Sequence, residues 1–185
     1  LRVGLADAGV ADAFDALLAA YEDGNPVVLF ENKALYRCKR QPVVWNPRYR
    51  EVWQPKQVRQ GEHATLVSYG EMLLAAAEAA DYLAGEYEQT FDVFDLRCLS
   101  PLQLDAIVAS VKRTGRLAVV HEGRRTHGFG AELVARLTET CFADLKAAPL
   151  RIGALDLPVP FAPELEDAYR PTRDKLIEQL AGWLG

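Results

Sequence analysis

From residue 63 onward the chain alternates short β-rich runs with amphipathic helical stretches, and no pattern in it restricts the fold more. Ala64–Tyr69 reads as a strand closed by Gly70, followed by a helix whose Met72, Ala76, Ala79 and Leu83 share one face. Thr90–Leu96 is the second strand. Ser100-Pro101 then starts a helix, proline being tolerated in a first turn, with Leu104, Ile107, Val108 and Val111 facing inward. Gly115 stops it, and Arg116–His121 forms the third strand. A helix from about Gly130 buries Leu133, Val134, Leu137 and Cys141, and Pro149–Ala154 is a fourth strand. After a loop with Pro158, Pro160 and Pro163, the last helix carries Leu176, Ile177, Leu180, Trp183 and Leu184. Strands alternating with helices predict a three-layer α/β sandwich around a mostly parallel sheet, because parallel strands need crossovers and the crossovers cover both faces.

Upstream the pattern differs. Phe14, Leu17, Leu18 and Tyr21 recur at helical spacing until Asp23-Gly24-Asn25-Pro26 ends the helix, and Val27–Phe30 is a short apolar strand. Residues 38 to 60 hold Pro42, Pro47 and Pro55, two tryptophans and scattered basic residues, so they read as an interdomain linker. Half the residues are hydrophobic and a quarter charged, which fits a packed core and argues against disorder. A net charge of −5 leaves no electrostatic footprint for nucleic acid. No apolar run is long enough for a membrane span, and no signal peptide is read at the start. Cys38, Cys98 and Cys141 are odd in number and widely spaced, the usage of reduced, buried thiols in a cytoplasmic protein.

The chemistry-bearing candidates are few. His121 and Glu122 fall at the carboxyl end of a strand, where open α/β sheets collect functional groups, and could form an acid–base pair. The plainer reading, favoured without a nucleophile or metal set nearby, is that they bond a neighbouring loop or subunit. Gly128-Phe129-Gly130 opens a helix and, with Arg124 and Arg125 just upstream, could dock an anion. Neither common nucleotide-loop motif is present, so tight loop geometry is the favoured reading there. Asp92 and Asp95 flank the second strand, and Glu164, Glu166 and Asp167 precede the last helix. Helix-dipole stabilisation is the favoured account of these carboxylates, and a docking surface for a basic partner is the alternative. His63 and His127 read as surface residues. Ser68, Ser100 and Ser110 lie in no nucleophile elbow.

Taken in order, a set of segments resembles a known family. They are Asp12-Ala13, Asn25-Pro26-Val27 through Glu31–Arg37, Val67–Gly70, Phe94–Arg97 with Pro101-Leu102, Ser110–Arg116, Val120–Glu122, Gly128–Glu132 and Asp156–Phe161. The chain resembles the carboxyl-terminal half of the β subunit of thiamine-diphosphate-dependent 2-oxo acid dehydrogenases of the pyruvate, branched-chain and acetoin type. The resemblance implies that residues 1–40 are the tail of a pyrimidine-binding domain, 41–60 a linker, and 61–185 a transketolase carboxyl-terminal domain. It implies thiamine diphosphate and magnesium for the complete enzyme but none bound to this segment, since the activating glutamate lies earlier in the β chain and the metal motif on the α side. Glu22-Asp23-Gly24-Asn25 is no substitute for that motif. The implied partners are an α subunit (or a fused α region), a second β copy and the lipoyl acyltransferase core, with Arg124, Arg125, Gly128, Phe129, Asp156, Glu164 and Glu166 as candidate interface residues. This chain departs from the family in having Asn32 where Glu-His-Lys is usual, an atypical linker, and Gln57 after Lys56. The Pro158–Phe161 tail leans towards branched-chain members. Two alternatives stand beside this reading: a non-catalytic assembly module, and a fragment of a 1-deoxyxylulose-phosphate synthase or transketolase-like enzyme.

Overall fold

The computed structural model describes residues 1–5, 10–37 and 45–185. Its larger sheet holds five strands: β3 (Lys56–Arg59), β4 (Ala64–Ser68), β5 (Phe91–Asp95), β7 (Leu117–Arg124) and β8 (Leu150–Ala154). A three-stranded sheet is built from β1 (Arg2–Leu5), β2 (Val27–Phe30) and β6 (Cys98–Ser100). The helices are α1 (Val10–Glu22), α2 (Met72–Tyr87), α3 (Asp105–Thr114), α4 (Phe129–Cys141), α5 (Pro163–Tyr169) and α6 (Arg173–Leu184).

The large sheet runs β3-β5-β4-β7-β8, with β5, β4, β7 and β8 parallel and β3 antiparallel to β5. Alternation along each strand divides the core in two. Leu66, Val93, Ala118 and Val120 meet Met72, Ala76 and Leu83 of α2 and Leu176 and Leu180 of α6 on one face. Val67, Phe94, Leu117 and Val119 meet Ile107 and Val111 of α3 and Leu133 and Leu137 of α4 on the other. This is the three-layer sandwich that the sequence predicts. Gly115 ends α3 at a φ of 74°, a conformation that costs a residue without a Cβ little.

Several elements differ from expectation, among them strand β1 and helix α5, which begins at Pro163 where the sequence predicts a loop. Cys98–Ser100 is strand β6, captured by antiparallel pairing with β1, so α3 begins at Asp105 rather than at Ser100-Pro101. The stretch read as linker contains a 3-10 turn at Tyr49–Trp53 and the edge strand β3. Tyr49, Val52 and Trp53 pack with Ala16 and Ala19 of α1 and with Cys98, an apolar clustering that the prolines and arginines around them mask in the sequence. Asp92 and Asp95 do not serve a helix dipole: they lie inside β5, each 2% exposed. Cys98 and Cys141 are buried free thiols, and Cys38 lies outside the described residues.

Asp92 is a hub. Its Oδ1 accepts from the Gly61 amide at 2.9 Å and Gln57 Nε2 at 2.7 Å, and its Oδ2 accepts from Ser110 Oγ at 2.5 Å and from the Arg113 guanidinium. Thr65 extends the network to Ser110 (2.6 Å) and Thr114 (2.9 Å). A buried carboxylate is tolerated here because every lone pair meets a donor.

Candidate functional site

The chain order reverses at β4: β5 is laid on one side of it and β7 on the other. The carboxyl ends of β4 and β7 therefore flank the point where crossovers diverge to opposite faces, the usual place for a ligand crevice in such sheets. Tyr69 follows β4 and His121 lies in β7. Their rings are nearly parallel (6°) with centroids 6.3 Å apart. Phe129, the first residue of α4, meets the Tyr69 ring edge-on at 6.0 Å.

His121 is 1% exposed, and its Nδ1 has no hydrogen-bond partner. Burial, followed by the charge of Arg151, holds its pKa below the ordinary imidazole value. Burial, followed by the charge of Glu122, pushes the Tyr69 phenol up to about 12. Both rings are thus neutral near pH 7, the imidazole lacking its second proton and the phenol reluctant to lose its only one. Glu122 is exposed, and its charge acts on Tyr69. The strand tip joins the rings of Tyr69, His121 and Phe129 into one packed cluster.

The glycines before and within the start of α4 have a specific reason. A Cβ on Gly128 would sit 2.4 Å from His121 Cε1 and 2.1 Å from the Arg124 carbonyl; one on Gly130 would sit 2.5 Å from His121 Cδ2. The glycines let the helix start lie directly on the imidazole. Gly130→Ala is expected to destabilise by about 1–3 kcal/mol through overpacking, read by urea unfolding. The buried imidazole also sets a pH dependence. Its folded pKa is depressed, so its contribution is present above about 6.5 and lost as pH falls and the unfolded ring takes up a proton. His121→Asn is expected to remove that acid-side slope in a series of unfolding curves from pH 5 to 7.5; an unchanged slope would refute the assignment.

The remaining candidates divide into two places. Arg124, Arg125 and Asp156 lie together where β7 and β8 end: Arg124 is in register with Ala154, the Arg125 amide donates to the Ala154 carbonyl at 3.0 Å, and Arg151 Nη1 donates to the Arg125 carbonyl at 3.2 Å. Asp156 accepts from Thr126 Oγ1 at 2.5 Å and its amide at 3.3 Å, and these bonds hold its carboxyl below the usual range. Glu164 and Glu166 sit in the first turn of α5. Between them run Leu155, Leu157, Val159 and Phe161, all exposed, Phe161 fully so. Sequence reasoning passed over this apolar run because prolines marked it as a loop; the alternation of apolar residues from 155 to 161 was the available signal. It also passed over Tyr69 as an ordinary strand residue. His63 and His127 are exposed, as expected.

Comparison with known proteins places these features. Residues 54–176 match the model of the transketolase C-terminal domain. The pyruvate dehydrogenase E1 component subunit beta of Staphylococcus epidermidis is 34% identical over 92% of this chain and 52% of its own length. The corresponding Bacillus subtilis protein is 35% identical over 90% of this chain and 51% of its own length. The 3-methyl-2-oxobutanoate dehydrogenase subunit beta of Mycobacterium tuberculosis is 36% identical over 90% and 47%. The chain thus spans about half the length of the curated relatives it matches. A split gene transketolase, solved as an inactive beta4 tetramer, superposes with a TM-score of 0.75 at 22% identity, covering 99% of this chain and 57% of that one, and so shares the fold. With the family model covering most of the large sheet and its helices, the chain belongs to the transketolase C-terminal domain family.

Proposed function

We propose that this chain is the carboxyl-terminal part of the β subunit of a 2-oxo acid dehydrogenase first component, which decarboxylates a 2-oxo acid oxidatively and passes the acyl group to lipoyl groups. Its share of that work is subunit assembly and docking to the acyltransferase core. The observation that carries this reading is alignment over 90–92% of the chain with the carboxyl-terminal half of such β subunits. Both pyruvate and branched-chain relatives occur at similar identity, so the substrate is assigned only as a 2-oxo acid. In this reading residues 1–40 belong to the pyrimidine-binding domain, 41–60 are the linker and 61–185 the transketolase carboxyl-terminal domain, onto whose β5 the linker strand β3 pairs. The partners are an α subunit or fused α region, a second β copy and the lipoyl acyltransferase core, and the setting is cytoplasmic. Among the described residues no helix is long and apolar enough to cross a membrane.

The residues described do not fit a thiamine diphosphate–magnesium centre. No group of three or more His, Cys, Asp or Glu among them is arranged to hold a metal ion. Asp23, next to Gly24, is engaged by Arg2 Nε at 2.7 Å and Asn25 Nδ2 at 3.1 Å where α1 ends. In the proposed reading, groups outside these residues hold the cofactor of the complete enzyme. Titration calorimetry of this chain with thiamine diphosphate and Mg²⁺ is expected to give no binding heat; micromolar affinity would refute the assignment. An assembly role further predicts that apparent mass rises with concentration in light scattering, through the exposed Leu157, Val159 and Phe161. A constant monomer mass across the series would count against it.

A further inference from the structure

Several elements converge on Arg97, which follows β5 in the left-handed region at a φ of 57°. Its carbonyl accepts from the Leu5 amide of β1 at 2.8 Å, and its guanidinium pairs with Asp12 of α1. Its own amide donates to Asp95 Oδ1 at 3.3 Å, while its Nε stands 3.7 Å from Asp95 Oδ2. Lys56 of β3 is the register partner of Asp95, and its Nζ approaches Asp12 Oδ2 at 3.4 Å. Asp95 Oδ2 and Arg97 Nε are both buried without a hydrogen bond, close enough to attract and too far apart to join.

We propose that Asp95, Arg97 and Asp12 form a proton-controlled latch that fastens the amino-terminal unit of β1 and α1 to the five-stranded sheet. With Asp95 ionised, two carboxylates draw on one guanidinium, and one of them lies in a site that water does not reach. With Asp95 protonated, Arg97 belongs to Asp12 alone and the cost of burying the second charge disappears. Burial is the largest influence on Asp95 and lifts it to about 6; Asp12 also raises it, while Arg97 and Lys56 act the other way. Asp15, hydrogen-bonded by Asn46 at 2.6 Å, and the Arg48–Glu51 pair at 2.5 Å line the adjoining cavity of about 250 Å³.

Opening the latch admits water and returns Asp95 to an ordinary carboxylate near 3.9. The closed state therefore holds its proton more tightly than the open one. Closure is favoured below pH 6 and weakens as pH rises through that value, by about tenfold between pH 5 and 7.

Hydrogen exchange on the full 185-residue chain tests this, with α3 amides as internal reference and rates corrected for intrinsic exchange. Protection of α1 relative to α3 is expected to fall about tenfold from pH 5 to pH 7. In Asp95→Asn it should be flat and equal at pH 7 to the wild-type value at pH 5. A flat wild-type profile, or a slope that survives in Asp95→Asn, overturns the proposal. Should that variant not fold, carbon-13 titration of the wild-type Asp95 carboxyl decides. A midpoint near 6 shared by α1 amide shifts supports the latch; a midpoint near 4, or unresponsive α1 amides, overturns it.

Discussion

Asp92→Ala is expected to lower stability by about 3 kcal/mol, measured by urea unfolding. The Gly61 amide is a buried donor whose acceptor is Asp92 Oδ1, and leaving such a donor unmet costs about 1–3 kcal/mol. Ser110 can turn its hydroxyl back to Thr65, and Arg113, half exposed, can reach water, so neither adds much. Loss of the side chain also leaves space between β5 and α3. Asp92→Asn keeps the shape and one acceptor oxygen, so it should lose only about 1 kcal/mol, the margin of the charge-assisted bonds from Arg113 and Ser110. A loss for alanine no larger than that for asparagine would show that the hub is ornamental to the fold.

Gly61→Ala is expected to cost as much or more, about 3 kcal/mol, for a different reason. A Cβ there would stand 2.2 Å from the Phe91 amide nitrogen and 2.5 Å from the carbonyl carbons of Thr90 and Phe91. These are backbone atoms at the start of a fully buried strand, so no side chain can rotate away and the strand must shift. Such a shift also breaks the Gly61–Asp92 hydrogen bond. The two substitutions should therefore not add: the double variant Gly61→Ala with Asp92→Ala is expected to lose clearly less than the sum. Additive losses would mean that the clash and the hydrogen bond are independent.

Much of this was legible in the sequence, for identifiable reasons. The helices over 72–87, 105–114 and 129–141 bury faces spaced at three and four residues, and β4 and the first half of β7 are near-continuous apolar runs, so pattern alone located them. What escaped were elements defined by partners distant in sequence. Lys56–Arg59 carries one apolar residue and becomes a strand only because β5 offers it an edge. Ser100-Pro101 reads as a helix start because the strand partner of Cys98–Ser100, β1, lies some 95 residues upstream. Asp92 and Asp95 read as helix-dipole carboxylates because nothing local announces Arg113, Gly61 or Arg97 as partners. At the strand tip, His121 was singled out by position, but its meaning depended on Tyr69 after β4 and on the two glycines pressed against its ring. His121 in β7 and Asp95 in β5 lie on either side of β4 yet respond to protons in opposite senses, which only burial and charge partners could reveal.

The ends of the two sheets differ in what they offer to a neighbouring chain. The large sheet finishes at β3, four residues long, bearing Lys56 and Arg59 with a register shift between Gln57 and Arg59, and at β8, preceded by Pro149 and bearing Arg151. Short, charged or irregular margins of this kind discourage strand addition. Among the described residues the small sheet finishes at β2, whose Val27–Phe30 is uncharged and exposes Val28 and Phe30. If purified chains precipitate or form fibrils on storage, the seed should be β2, and a lysine at position 28 should suppress it where the same residue at position 150 does not.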